Sequence, residues 1–170
     1  MKQHNGMRPQ DLVILLKIIA KGEEDWLMKD IAYELGISNS EISESLNRSV
    51  IARLISSDKK MVMKLALLEF LKYGLKYVYP QRPSGLVRGV VTAHSAEPLV
   101  NSIQSEEVYV WPYAEGKDRG FSVEPLYSKV PEAALKDRLL HELLALVDAI
   151  RLGNVREQNI AIEELDKHFN

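Results

Sequence analysis

The chain has 170 residues, 46% apolar and 27% charged, with a net charge of −2 and no cysteine, which fits one ordinary domain or two small ones sharing a core. The lack of cysteine excludes disulfides and thiolate metal sites. No apolar run reaches the roughly 18–20 residues of a membrane span, and Met1 to Arg8 is polar without the apolar core of a signal peptide, so a cytoplasmic location and no membrane partner are expected.

Residues 9–21 read as a first helix. Pro9 suits a first-turn position whose N–H is not needed, and Asp11 complements the positive helix end. Leu12, Leu15, Leu16 and Ile19 recur at helical spacing, and Gly22 is a stop. Residues 28–36 form a second, short helix ending at Gly36. Ser38 caps a third, with Glu41 completing a capping box, and that helix runs to about Asn47 or Arg53. Residues 61–76 read as a long central helix, apolar on most sides, which belongs in a deep core or against a second subunit.

Six of the seven prolines fall between Tyr77 and Pro131, and helices are disfavoured there. Glu107 to Trp111 alternates as a strand, and Phe121 to Val123 returns as its partner in a small β-hairpin. A strong helix over 131–152 aligns Leu135, Leu139, Leu143, Leu146, Val147 and Ile150 on one face. Asn154 and Glu157 then cap a last helix with Val155, Ile162, Leu165 and Phe169 inward. The expected fold is mainly α. Residues 1–60 form an N-terminal helix-turn-helix domain. Residues 61–170 form a helical region, in which the long central helix leads to a proline-rich 77–130 segment with its hairpin and two C-terminal helices.

Function is most legible between Met28 and Asn47, MKDIAYELGISNSEISESLN. A helix-turn-helix needs two short helices crossing steeply over a tight turn. Ala32 is small where the second helix would cross, Gly36 tolerates the positive φ of the turn, and Ile42 returns an apolar group into the crossing. Ile31, Leu35, Ile37 and Leu46 complete a small core. An ordinary helical hairpin would use the same residue types. With a true motif, Ser38, Asn39, Ser40, Ser43, Glu44 and Asn47 face a major groove. Asn suits adenine, Ser several base edges, and Glu a cytosine amino group. Arg48 and Arg53 suit phosphates, and Lys59 and Lys60 touch the backbone from what is at most a stub of a wing. Glu41 and Glu44 weigh against DNA, and some helix-turn-helix units serve as protein-interaction modules instead.

The spacing of Ala32, Gly36 and Ile42, with SEISESLNRSVIARLI following, resembles the MarR-like winged-helix family. The resemblance implies a bacterial transcriptional regulator that binds double-stranded DNA with Ser38–Arg48 as recognition helix. Downstream, LEFLKYGLKYVYP, RGVVTAHSAEPL, VWPY, PLYSKVPEAA and LLALVDAIRLGNVRE are similar to uncharacterised bacterial regulator-like proteins. That similarity implies no fixed activity; an alternative it leaves open is the antitoxin partner of a nucleotidyltransferase-type toxin.

Charge bears on the same question. Residues 48–96 hold nine Lys/Arg against two Asp/Glu, while both flanking regions are acidic. Phosphate binding needs such local positive potential, although a solvated surface has the same composition. Arg82, Arg88 and His94, with Gly85 and Gly89, outline a candidate anion or effector pocket, or a loop packed across the core. Tyr109, Trp111 and Tyr113 line a pocket or pack the hairpin.

No catalytic group and no cofactor is expected. His4, His94, His141 and His168 lack metal-ligand spacing, and neither a phosphate loop nor a nucleophile elbow is present. The apolar 61–76 helix and the leucine face of 135–150 exceed what one small core absorbs, which predicts a homodimer through one of them.

Overall fold

The computed structural model describes residues 6–170; His4 and most of the polar N-terminal stretch lie outside the described residues. The described residues are mainly α-helical, with eight helices and one small sheet. The first helix, α1 (Pro9–Lys21), begins as expected with Pro9 at its first position. The Asp11 carboxylate accepts the Arg8 N–H at 2.8 Å, and Gly22 at φ 64° ends the helix. Burial on α1 is wider than one stripe. Val13, Ile14 and Ile18 are as enclosed as Leu12, Leu15, Leu16 and Ile19, because α2, α3 and α7 all pack around it. The apolar axis of the molecule is therefore α1, not the 61–76 segment.

Helices α2 (Met28–Leu35) and α3 (Asn39–Ile51) follow the expected boundaries. Gly36 adopts φ 65°, ψ 37° between them, the left-handed conformation that glycine reaches without steric cost. Ser38 caps α3 by accepting the Glu41 N–H at 3.3 Å. After α3 the chain doubles back. Ile55 and Val62 form an isolated antiparallel bridge, with the Ser56 N–H donating to Met61 O and the Met63 N–H to Leu54 O.

The expected long helix is divided into α4 (Lys64–Tyr73) and a single turn, α5 (Leu75–Val78). Gly74 sits at the break, with the Phe70 ring closed over it. Leu67, Leu68, Leu71 and Leu75 turn inward, while Leu65 is 73% exposed and Tyr73 72%. Amphipathic spacing inside an apolar run is hard to see, and here it sorts one face from the other.

The hairpin expectation is corrected by the strand pairing. Strand β1 (Leu86–Val91) occupies the stretch read as a loop. It pairs antiparallel with both β2 (Tyr109–Pro112) and β3 (Asp118–Ser122), while β2 and β3 run parallel to each other. Two glycines permit this closed three-stranded ring. A Cβ on Gly89 would strike the Trp111 carbonyl oxygen, and one on Gly120 the Val108 carbonyl oxygen. Such approaches exclude any larger residue.

The 131–152 helix is likewise two: α6 (Val130–Lys136) and α7 (Arg138–Leu152). Asp137 breaks it by adopting extended backbone and accepting the Leu140 N–H at 3.1 Å as an N-cap. The break shifts the helical phase, so Leu135 is 57% exposed rather than inward. The last helix, α8 (Val155–Phe169), carries the expected capping box at Asn154 and Glu157. Leu165 and Phe169 are buried and Ile162 partly so, whereas Val155, at the first helical position, is exposed. One continuous core joins α1–α4 to α6–α8 and the sheet. No helix among the described residues is long and apolar enough to cross a membrane.

Candidate nucleic-acid interface

The site is built from α3 outward. Ile42, Leu46, Ser45 and Ser49 face inward and are buried. Ser38, Asn39, Ser40, Glu41, Glu44 and Asn47 face solvent, and Ser43 is half-buried. This split follows the 3.6-residue period. Ala32 is buried, as are Ile31, Leu35 and Ile37, and α2 packs against α3 across the Gly36 turn.

Three sets of contacts hold this crossing rigidly. Arg48 Nε donates to Asp11 Oδ2 and Arg48 Nη2 to Asp11 Oδ1, both at 2.8 Å. Asp11 is fully enclosed and Arg48 nearly so. The hydrogen bonds to Asp11 raise the Arg48 pKa against the opposing effect of burial, and the charges of Asp11, Glu44 and Glu41 add to the rise. Arg48 thus ties α3 to the start of α1. Its guanidinium is not offered to the outer face, where the sequence placed it as a phosphate contact.

The second set surrounds Lys17, buried on α1, which bonds Glu34 of α2 at 2.7 Å and Asp137 at 2.6 Å. Burial opposes its charge, but the hydrogen bonds and charges of Asp137 and Glu34 outweigh it, so the Lys17 pKa is raised. Burial likewise opposes the Glu34 carboxylate, yet Lys17 and Lys21 together hold its pKa below the ordinary value. The third set lies at the turn. Tyr127 OH donates to Gly36 O at 3.0 Å, and the Lys129 stem lies against the same glycine.

The remaining sequence-predicted cations are at the margin of α3. Arg53 is exposed, at φ 60°, immediately after the helix. Lys59, half-buried at φ 62°, and Lys60 lie in the turn between Ile55 and Val62. Lys60 Nζ sits 4.8 Å from the Trp26 ring centroid and 3.4 Å from Trp26 O, which draws it toward the segment ahead of α2. From residue 38 to 47, α3 itself offers two carboxylates and no cation.

The residues of the candidate pocket, Arg82, Arg88 and His94, differ in exposure. Arg82 and Arg88 are exposed, with Arg88 opposite Arg119 in the β1–β3 register. His94 is buried, its Nε2 2.8 Å from Glu107 O. The aromatic residues pack the sheet: Tyr109 stacks edge-on against His94 at 4.6 Å, and Trp111 is buried.

A polar cluster that sequence reasoning missed lies beneath them. Asp148 on α7 accepts Thr92 Oγ1 and Trp111 Nε1, each at 2.7 Å, and Arg151 Nη1 at 2.8 Å. Every partner is supplied, so this carboxylate anchors the sheet to α7. Its one signal in the sequence is an aspartate inside LLALVDAI. No group of three or more residues among those described is arranged to hold a metal ion.

No family model, curated protein or solved structure matches this chain. The likeness to MarR-like winged helices therefore rests on the residues of 28–55 alone.

Proposed function

We propose that the chain is a sequence-specific DNA-binding transcriptional regulator of winged-helix type, in which the outer face of α3 enters the major groove. One observation carries this reading: Ser38, Asn39, Ser40, Glu44 and Asn47 project to solvent from a helix immobilised on its other side by Arg48–Asp11. Rigid presentation of small polar groups is what base readout requires. The short Ile55–Val62 bridge supports a wing reduced to a stub. In this reading Asn39 and Asn47 pair with adenine edges, while Ser40 and Ser43 adapt to neighbouring bases. Glu44 accepts from a cytosine amino group. Arg53 and Lys59 hold phosphates, with Lys60 a weaker third contact, and Arg48 acts as the anchor of the helix.

The test is selection of bound sequences from random duplexes, followed by mobility shifts. Asn39→Ala and Asn47→Ala should each cost about 1–3 kcal/mol on the selected site and little on random DNA. Arg53→Ala should weaken all sequences alike and lower the salt slope by about 1. Equal losses on selected and random DNA in the asparagine variants would defeat base readout.

A second reading is supported by the same face having two carboxylates and no free cation: a protein-interaction module, such as the antitoxin that covers a nucleotidyltransferase-type toxin. A one-to-one complex with such an enzyme, together with no shift on any duplex, would decide for it.

A further inference from the structure

Several of the exposed large apolar side chains fall in one short stretch of the chain. Met61, Met63, Leu65, Tyr73, Tyr77 and Val78 all lie between residues 61 and 78. Helix α4 stands there between two hollows. One, of about 690 Å³, is floored by Ile18, Trp26 and Val62. The other, of about 470 Å³, is bordered by Met7, Leu54 and Phe70. Ala66 lines both, so the helix is narrow where they meet. Leu65 rims the first hollow and Tyr73 the second, each a projecting group beside an empty one.

The charges on this ridge indicate what fits it. Leu65, Glu69 and Lys72 follow each other on α4 at intervals of four and three residues, a single stripe on a helix. Glu69 and Lys72 have no ion-pair partner among the described residues. A second α4 laid antiparallel, on a two-fold axis passing between residues 70 and 71, brings Glu69 of each copy to Lys72 of the other. The same placement sets Leu65 level with residue 76 of the other copy, just beyond Tyr73 at the end of its α4. A surface whose acid and base exchange places under a two-fold rotation is self-complementary, as an isologous interface must be. The other dimerisation face read from the sequence, along 135–150, is largely covered within the chain: Leu143, Leu146, Val147 and Ile150 are buried and Leu139 partly so, while Leu135 is exposed.

We propose that α4 is a homodimer interface, with its antiparallel register set by reciprocal Glu69–Lys72 ion pairs. The pairing depends on α4 alone and does not require α3 to read DNA.

The test is sedimentation equilibrium of the full chain without DNA. Wild type should be dimeric at micromolar concentration. Leu65→Glu should raise the dissociation constant by about tenfold or more, by placing a charge where an apolar side chain meets the other copy. Glu69→Lys and Lys72→Glu should each weaken the dimer by placing like charges together, and the double swap E69K/K72E should restore it. Leu65 and Glu69 are exposed and Lys72 is half-buried, and circular dichroism melts would verify that each variant is folded. A monomeric wild type, a dimer indifferent to Leu65→Glu, or a double swap no stronger than either single change would overturn the proposal. So would a monomer whose Trp26 emission shifts on addition of laurate, which would give the first hollow to a small amphiphile.

Discussion

Arg48 and Asp11 show how one pair of side chains can carry the orientation of a whole helix. The two hydrogen bonds are parallel and both partners are out of water, so removing either strands a charge in the core. Asp11→Ala should destabilise the chain by about 3–5 kcal/mol in urea titration. Asp11→Leu with Arg48→Met should cost much less than the sum of the single changes, because it leaves no orphaned charge. A loss below about 1 kcal/mol for Asp11→Ala, on the scale of a surface pair, would show the pair to be solvated. Nothing in the sequence distinguishes Arg48 from the exposed Arg53. The distinction comes from a partner 37 residues away, whereas Asp11 was legible only as a helix-end charge. Asp148 is the same case on the other side of the molecule. Its burial could be suspected from its apolar neighbours, but its three donors come from β2, α7 and the residue following β1.

At the scale of elements, those whose ends are set by adjacent residues were readable. Gly22, Gly36, Ser38 and Asn154 each act within a few positions of themselves: α1 and α2 end, and α3 and α8 begin, where those residues put them. Gly36 allows a direct check. Alanine there must hold φ near 65° with the Lys129 stem already in place. Gly36→Ala should therefore lower stability by about 1–2 kcal/mol, read as a lower urea midpoint with unchanged slope. The elements that were misread depend on remote partners. Strand β1 is hard to see in the sequence because its Arg88-Gly89 pair interrupts an apolar run. The hairpin was assigned because β2 and β3 are near in sequence. Their parallel pairing requires β1 alongside both and glycine at 89 and 120, conditions that cannot be seen from either strand alone. The 131–152 helix was read through Asp137 because apolar spacing continues across it. Lys17 and the Leu140 N–H are what turn that aspartate into a boundary.

For the whole molecule, the Lys17 cluster joins α1, α2 and the α6–α7 junction. It also predicts a pH dependence. The Glu34 pKa is held below 4.5, so its contribution is present above that pH and is lost as pH falls through the folded value. The Lys17 pKa is raised above 10.5, so its contribution is present below that pH and is lost as pH rises through the folded value. These two groups should leave melting temperature flat between about pH 5 and pH 10. Lys17→Met should lower it throughout that window and make the acid limb shallower, because Glu34 then keeps only Lys21. An acid limb of unchanged steepness in the variant would assign the dependence to other carboxylates.

The hydrogen bond from Tyr127 to the Gly36 carbonyl reaches further than its single donor suggests. It makes the strand-to-helix connection after β3 a strut braced on the bend that aims the second helix of the pair. Whatever repositions that strut alters the pitch at which Asn39 and Asn47 are offered to a target. Under the proposed function, a change that begins in the C-terminal half would reach the outer face of α3 through this contact.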